Sequence, residues 1–230
     1  MTLTQARIGI FGGTFNPIHI AHLRAAEEVV CALDLERMIF VPSADPPHKV
    51  DIPGDRIASA KLRLEWVRLA IRDNPRFEVD ALEVERGGPS YSVDTLRTIG
   101  KRIAPEKPVF VIGQDAFVEI DSWRNPAKLF ELAHFAVITR PPVALASLAD
   151  WLPRCIRDVV VPDRSGVCAE HRDAGTWIRL IEIPALDISS SDIRIRLRGN
   201  QSVRYLLPAA VEEAIEKSGV YCDVQGARRR

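Results

Sequence analysis

Two histidines three residues apart, His19 and His22, are the side chains near the start of the chain best suited to chemistry. They follow a short apolar segment, residues 7–12 (RIGIFG), and the glycine pair Gly12 and Gly13. Paired glycines after a strand let the backbone turn sharply and let phosphate oxygens approach main-chain N–H groups. The i, i+3 spacing at a helix start places both imidazoles on one face, beside the positive end of the helix dipole. The pattern predicts a corner that stabilises a triphosphate as pyrophosphate leaves.

Other interpretations of the histidine pair make different demands on the sequence. A zinc site of the HExxH type needs histidines four residues apart with a glutamate between them, and both features are absent. The turn is neither the GxGxxG of dinucleotide binding nor a P-loop, because no Gly-Lys-Ser/Thr follows it. Ordinary helix N-terminal histidines, satisfied by backbone carbonyls, remain the alternative to a phosphate corner.

A second candidate anion site lies near the end of the chain, where residues 188–194 read ISSSDIR. Ser189 and Asp192 have the three-residue spacing of a helix capping box. Serine hydroxyls and free N–H groups would then gather at one helix start, with Arg194 one turn further along. Plain helix capping is the alternative interpretation of this segment.

The two segments together resemble the HxGH nucleotidyltransferase superfamily. Residues 12–22, GGTFNPIHIAH, are similar to its signature, with Ala21 where many members have glycine, and ISSSDIR is similar to its ISSTxxR motif, with Ser191 keeping the hydroxyl. A KMSKS-type loop, which a related synthetase would need, is absent. The resemblance implies catalytic roles for His19, His22 and Arg194. It implies ATP contacts for Gly12, Gly13, Thr14, Phe15, His19, His22, Ser189, Ser190, Ser191 and Arg194.

Three further segments carry groups suited to a second substrate. Residues 46–49 (PPHK) lie in a long proline-rich loop, residues 43–55, where a lysine can neutralise a phosphate as a point charge. Residues 90–96 (SYSVDTL) offer hydroxyls and a helix N-terminus to a carboxylate. Asp115 follows an apolar segment and can hydrogen-bond a ribose, whereas Trp123 can stack on an aromatic ring. A solvated lysine, a simple serine cap and a core tryptophan are the alternatives.

All these segments taken together resemble the bacterial nicotinate-nucleotide adenylyltransferases. The resemblance covers most of residues 7–221 and is weak between about 143 and 176. It implies adenylyl transfer from ATP to nicotinate mononucleotide, which gives deamido-NAD and pyrophosphate in NAD biosynthesis, with Mg²⁺ bridging the phosphates. It implies acceptor contacts for Asn16, His48, Lys49, Tyr91, Ser92, Thr95, Asp115 and Trp123.

Two alternatives to this function stay open on the sequence alone. One is an adenylyltransferase of the same superfamily that acts on nicotinamide mononucleotide or pantetheine phosphate. The other is a non-catalytic nucleotide-binding module on the same fold. The presence of both histidines, Lys49 and Arg194 argues against the module, since binding alone does not require groups aimed at a departing pyrophosphate.

Predicted strands and helices alternate along the chain and must position these residues. Such alternation is typical of a parallel sheet covered by helices. Strands are predicted over 7–12, 37–42, 77–84, 109–113, 135–139 and 178–183, and helices over 20–33, 58–72, 92–103, 115–120, 126–132, 190–197 and 208–217. We predict an α/β fold, a Rossmann-like doubly wound parallel sheet with a small C-terminal helical lobe. Residues 1–230 are expected to form one nucleotidyltransferase domain, with the core sheet in about 7–140 and the C-terminal part in about 177–221.

Composition limits the partners. The 31 basic residues balance the 31 acidic ones, which predicts small-molecule substrates and neither a nucleic acid nor a membrane as partner. The four cysteines are scattered without a CxxC pair, so no protein metal site is expected. The absence of a signal-peptide pattern and of about 18 consecutive apolar residues predicts a cytoplasmic protein. The sequence leaves the oligomeric state open, a homo-oligomer included.

Overall fold

The apolar segments of the chain pair into a single sheet of eight strands in the computed structural model, which describes residues 7–46, 56–139 and 147–221. The strands lie in the order β3-β2-β1-β4-β5-β8-β7-β6. From β3 to β8 neighbouring strands are parallel, and β7 and β6 extend that edge in antiparallel fashion. Their bounds are β1 Ile8–Gly13, β2 Arg37–Pro42, β3 Phe77–Val79, β4 Val109–Gly113, β5 His134–Thr139, β6 Val160–Pro162, β7 Cys168–His171 and β8 Trp177–Glu182.

Nine α-helices connect and cover these strands in the described ranges. They are α1 Ile20–Leu33, α2 Ala60–Ile71, α3 Leu82–Arg86, α4 Ser92–Ile103, α5 Gln114–Val118, α6 Pro126–Leu132, α7 Leu148–Trp151, α8 Ser190–Arg198 and α9 Ala209–Ser218. Two 3₁₀ turns, Ile120–Ser122 and Arg154–Ile156, complete the list. None of the helices in these ranges is long and apolar enough to cross a membrane.

The order of the strands reverses between β1 and β4. β1 pairs with β2 on one side and with β4 on the other, and all three run in the same direction. In an open sheet of this kind, ligands bind in the crevice outside the carboxyl ends of the strands, at the point of reversal. The glycine turn that ends β1 lies at that point, and so does Gly113, which ends β4.

Two apolar layers, one on each face of the sheet, hold the fold together. Helices α1, α2, α8 and α9 cover one face, and α4, α5, α6 and α7 cover the other. Trp66 of α2 is 1% exposed in the first layer, and burying a side chain of this size stabilises the fold by about 2–3 kcal/mol. Ile193 of α8 and Val211 of α9 belong to the same layer, so the C-terminal helices share the core of α1 and α2.

The predicted α/β fold with a doubly wound sheet is confirmed, and most predicted elements agree with the structure within about two residues. The strand predicted over 77–84 is wrong in its second half, where β3 ends at Val79 and α3 begins at Leu82. The Asp80 carboxylate accepts the Leu82 N–H at 2.9 Å, and this local bond favours a helical turn over continued sheet.

The segment between about 143 and 176 holds β6 and β7, which sequence periodicity did not predict. β6 has three residues and β7 has four, which is too short for an alternation of apolar and polar residues to be recognised in the sequence. Between them the Asp163 side chain accepts the N–H groups of Ser165 and Gly166, each at 3.1 Å, and this fixes the tight turn.

Candidate active site

The turn between β1 and α1 is shaped by an aromatic side chain packed on a glycine. Phe15 has a backbone φ of 48°, in the left-handed region, and its ring lies over Gly13. A Cβ at Gly13 would come within 2.9 Å of that ring, so glycine is required there. The Phe15 ring also meets Phe11 and His22 edge-on, with centroids 5.8 and 5.2 Å apart. Packing thus holds the turn in one conformation.

The two histidines stack on each other at the start of α1, and the predicted placement of both rings on one face is confirmed. Their centroids are 3.7 Å apart with planes inclined by 27°. His19 is the N-cap, and its backbone N–H donates to Nδ1 of His22 at 3.2 Å. Because Nδ1 accepts this bond, the proton of a neutral His22 ring belongs on Nε2, where it can be donated to an anion.

The segment at the start of α8 docks against the β1–α1 turn, although the two are distant in sequence. The Arg194 Nη1 donates to the Asn16 carbonyl at 2.7 Å, across 178 positions of the chain. Ser190 donates to the Pro17 carbonyl at 2.9 Å. Arg194 is 5% exposed, and its Nη2 also contacts the Ser191 hydroxyl at 3.2 Å. The fold therefore brings the two predicted anion-binding motifs into one site.

Only half of the predicted capping box of α8 forms. The Ser189 hydroxyl accepts the Asp192 N–H at 3.0 Å, as expected of an N-cap. The Asp192 carboxylate instead pairs with Nε of Arg196, one turn further along, at 2.8 Å. The hydroxyls of Ser189 and Ser191 lie on the exposed side of this helix start.

A cavity of about 350 Å³ opens beside the histidines, at the point where the strand order reverses. This volume falls within the range of small-ligand sites. Ala21 lies in the first turn of α1, where its methyl group is accommodated by helical backbone, as expected. Asp115 is exposed at the rim. The lining residues are Phe11, Ala21, His22, Ala25, Gly113, Gln114, Asp115 and Ile138.

A second cavity, of about 370 Å³, lies on the other side of the end of β1. Gly12, Gly13 and Thr14, which the resemblance assigned to ATP, line this second cavity. They share it with Ser92 and Trp123, which were assigned to the acceptor. The glycine turn thus borders the second cavity, whereas His22 borders the first.

A smaller pocket of about 70 Å³ continues from the second cavity at the N-terminus of α4. Ser90, Tyr91, Ser92 and Trp123 line it, and the half-buried Trp123 ring packs edge-on to Phe110 with centroids 6.4 Å apart. Sequence reasoning missed Arg124, whose guanidinium lies 4.5 Å from the centre of the Tyr91 ring in the same pocket. The position of Arg124 directly after Trp123, the candidate stacking residue, could have indicated it from the sequence.

Two predicted acceptor residues have side chains directed to protein partners. Thr95 is 2% exposed and its hydroxyl donates to the Glu83 carboxylate. Asn16 is 3% exposed; its side-chain oxygen accepts from Ala58 N–H at 3.0 Å and from the Tyr221 hydroxyl. Both side chains therefore hold neighbouring segments together in this structure, and their contact with the acceptor stays a prediction.

Sequence reasoning also missed buried polar residues around the second cavity. Ser43 follows β2, lines this cavity and has, within the described residues, no hydrogen-bond partner for its buried hydroxyl. Arg63 of α2 is also buried, with 1% of its surface exposed. Burial lowers the pKa of its guanidinium, and the nearby Tyr221 and Glu83 side chains partly offset this lowering. The arginine keeps its positive charge under such a shift.

His48 and Lys49, the predicted contacts to the acceptor phosphate, lie outside the described residues. The chain enters that loop from residues 43–46, two of which line the second cavity. Elsewhere in the described ranges, no group of three or more His, Cys, Asp or Glu side chains is placed to hold a metal ion. The three described cysteines, Cys31, Cys155 and Cys168, are free thiols.

The chain belongs to the cytidylyltransferase-like family, whose model matches residues 10–196. The probable nicotinate-nucleotide adenylyltransferase of Geotalea daltonii is 45% identical over 217 residues, covering 94% of this chain and 99% of the relative. The protein of the same name from Citrifermentans bemidjiense is 43% identical over 219 residues, covering 95% and 100%. At these identities the chain belongs with the nicotinate-nucleotide adenylyltransferases of the family.

Solved structures share the fold at lower identity. The Plasmodium falciparum nicotinic acid mononucleotide adenylyltransferase complexed with NaAD superposes with a TM-score of 0.69 at 20% identity, covering 94% of this chain and 97% of that one. The same enzyme complexed with APC gives a TM-score of 0.67 at 19% identity, with the same coverage. The arrangement of the sheet and its flanking helices is therefore that of these enzymes.

Proposed function

We propose that this chain transfers the adenylyl group of ATP to nicotinate mononucleotide, producing deamido-NAD and pyrophosphate in NAD biosynthesis. The observation that carries the proposal is that the stacked His19 and His22 and the docked Arg194 lie at the β1–α1 turn. The end of β1 and this turn border two ligand-sized cavities. Transfer between two nucleotides needs such a pair of adjoining sites. The names of the relatives support the choice of acceptor.

In the proposed complex, ATP occupies the cavity beside the histidines. Nε2 of His22 donates to a phosphate oxygen, because its Nδ1 is engaged by the backbone. Arg194, already oriented by the Asn16 carbonyl, adds a fixed positive charge, and the hydroxyls of Ser189 and Ser191 face the same phosphates. Asp115, at the rim, is suited to a ribose hydroxyl.

The mononucleotide occupies the second cavity in this proposal. Trp123 stacks on the pyridine ring, and the N-terminal turn of α4 around Tyr91 and Ser92 faces the carboxylate. The buried Ser43 hydroxyl would find its missing hydrogen-bond partner in this ligand. His48 and Lys49 stay predicted contacts of the acceptor phosphate.

The chemistry requires positioning and charge stabilisation, without a general base. A phosphate oxygen of the mononucleotide attacks the α-phosphorus of ATP, and the new P–O bond forms as the bond to the β-phosphate oxygen breaks. The bonding electrons leave with pyrophosphate, whose growing charge faces His19, His22 and Arg194. One preorganised donor of this kind accelerates a reaction by about 10²–10³-fold.

Mg²⁺ is the ion we propose to accompany ATP. It binds through oxygen ligands and keeps several waters, with most protein contact through one or two carboxylates and substrate phosphates. The first cavity fits this demand, because Asp115 offers a carboxylate at a rim that also includes His22, Gln114 and apolar groups. When bound, the ion would neutralise part of the phosphate charge.

A panel of acceptors tests the proposal. Purified protein with Mg-ATP is mixed separately with nicotinate mononucleotide, nicotinamide mononucleotide and pantetheine phosphate, and released pyrophosphate and dinucleotide are measured. We expect the highest kcat/KM with nicotinate mononucleotide. Preference for pantetheine phosphate would contradict the assignment. Calorimetric binding of ATP without turnover of any acceptor would instead indicate a nucleotide-binding module.

A further inference from the structure

A buried arginine, placed outside the proposed substrate contacts, joins the loops that border the site. Arg63 lies in the first turn of α2, and its guanidinium donates to three backbone carbonyls on separate segments. Nε contacts the Ala58 carbonyl at 2.9 Å, and Nη1 contacts the Thr14 carbonyl at 2.6 Å. Nη2 contacts the Ala44 carbonyl at 2.9 Å. One rigid side chain therefore spans the β1–α1 turn and the segment after β2.

The Ala44 peptide is held from its other side by the acceptor pocket. Its N–H donates to the Ser90 hydroxyl at 2.9 Å, and the Ser90 N–H donates to the Asp45 carbonyl at 2.9 Å. Ser90 lines both the second cavity and the smaller pocket, and it precedes the N-terminus of α4. Arg63 is thus one contact from the acceptor pocket through Ala44.

The Thr14 carbonyl connects the same arginine to the phosphate corner. Thr14 is followed by Phe15, which packs on Gly13 and His22, and by Asn16, whose carbonyl binds Arg194. A shift of the Thr14 peptide would therefore displace the phosphate corner as a whole relative to the acceptor pocket. The bonds from Arg63 fix the spacing between this corner and the segment that supports the acceptor.

Arginine is the side chain suited to this arrangement. Its planar fork presents donors in fixed directions, so three carbonyls on three segments are held in one geometry. A lysine would keep the positive charge in this buried place but would concentrate it at a single flexible ammonium. The nearby Glu83, 6% exposed at the second cavity, contributes the opposite charge.

We propose that Arg63 is a positioning residue, which sets the distance between the ATP-phosphate corner and the acceptor pocket so that the attacking oxygen lies in line with the bond that breaks. The inference rests on the proposed function. Each substrate contacts its own cavity, so binding of either one alone should depend little on Arg63. The rate of transfer should depend on it strongly, because a misplacement of about 1 Å can cost about 10²-fold.

The test compares Arg63→Lys with Arg68→Lys. Arg68 lies on the same helix but is exposed, with a surface ion pair to Glu65 at 3.7 Å. Calorimetry gives the Kd and stoichiometry of ATP and of nicotinate mononucleotide separately, and pyrophosphate release gives kcat. For Arg63→Lys we expect both Kd values within about 3-fold of wild type, one ATP site per chain, and a kcat lowered by about 10–100-fold. Arg68→Lys should match wild type.

Other outcomes would overturn the inference. Weaker binding of either substrate at unchanged kcat would do so, because it would indicate an affinity role. A loss of kcat matched by an equal loss of ATP-binding stoichiometry would indicate damaged folding, and a second variant then decides. Ser90→Ala removes the partner of the Ala44 N–H and leaves every charge in place. We expect it to lower kcat by about 3–10-fold with an unchanged ATP Kd, and an unchanged kcat would count against the inference even if Arg63→Lys failed to fold.

The wild-type assay separates the two proposals. If wild type makes no dinucleotide from nicotinate mononucleotide, the proposed function fails, and the positioning role is then measured with the acceptor that does react. If wild type is active and Arg63→Lys has the same kcat, only the positioning role fails.

Discussion

Histidines lie at both edges of the same sheet, in contrasting surroundings. At the carboxyl edge, His19 and His22 stack beside a cavity of about 350 Å³. At the amino edge, His134 begins β5 and stacks on Trp177, with ring centroids 4.6 Å apart. Its Nδ1 accepts the Trp177 N–H at 3.1 Å. Burial, helped by the charge of Lys107, lowers the pKa of His134 to about 4.

The contrast shows that position in the fold, more than residue type or burial, decides what a histidine can do. His19 and His134 are 3% and 2% exposed, so burial does not separate them. The first pair lies where parallel strands end and the strand order reverses, which leaves room for a ligand. His134 lies among packed side chains, and its Nδ1 accepts a hydrogen bond from the backbone N–H of Trp177, in β8.

The largest effect expected from this comparison is on catalysis at the carboxyl edge. His22→Ala removes the donor proposed to face the ATP phosphates, so we expect kcat to fall by about 10²–10³-fold, or about 3–4 kcal/mol. The Kd of nicotinate mononucleotide should change much less, because His22 borders the other cavity. Steady-state kinetics and calorimetry measure the two quantities. His134→Asn is the control and should keep kcat at pH 8; a near-normal kcat in His22→Ala would remove the proposed role.

The residues of the carboxyl edge differ in how far the sequence could predict them. His19 and His22 follow a glycine turn on a continuous segment, and Ser189 with Arg194 form a similar local pattern, so both motifs were recognisable. The role of Arg63 could not be recognised in this way, because its partners are the backbone carbonyls of Thr14, Ala44 and Ala58. Every residue has a backbone carbonyl, so the residue types at these positions do not indicate the contacts. Local motifs predict groups that touch a ligand better than they predict the groups that hold loops in place.

The fold followed the same rule. The parallel strands, buried on both faces, gave continuous apolar segments that predicted β1, β2, β4 and β5 within two residues. The antiparallel strands β6 and β7 are short and lie at one end of the sheet, where β7 pairs with β8 and β6 pairs with β7. The Thr95 contact also depended on a distant partner, the Glu83 carboxylate, and so was assigned to a substrate by resemblance alone.

A second, smaller effect concerns stability at the amino edge. The pKa of His134 is about 4 in the fold and about 6.5 in an unfolded chain. Below pH 6.5 the unfolded chain therefore binds a proton that the folded chain does not, and the free energy of unfolding falls as the pH drops towards 4. The loss should reach about 3 kcal/mol over that range.

Urea unfolding of wild type and His134→Asn at several pH values measures this effect. The variant should be less stable at pH 7, because its packing on Trp177 is poorer, but its stability should fall less between pH 6.5 and 4. If the free energy of unfolding changed equally with pH in both proteins, protonation of His134 would not be the cause of the acid destabilisation. His22→Ala is the reciprocal control: we expect it to lose kcat while its free energy of unfolding falls between pH 6.5 and 4 as in wild type.

The smallest effect separates two tryptophans placed at opposite edges. Trp123 is half-buried at the second cavity, whereas Trp177 is 5% exposed in the core beside His134. Stacking of a base on an aromatic side chain contributes about 1–3 kcal/mol, so Trp123→Ala should raise the KM for nicotinate mononucleotide by about 10-fold. The KM for ATP should stay within about 2-fold, because that substrate is proposed to lie in the first cavity. Trp177→Phe should lower Tm by about 2–6 °C without changing either KM. If the acceptor KM rose equally in both variants, the tryptophan at the carboxyl edge would be a packing residue like its counterpart.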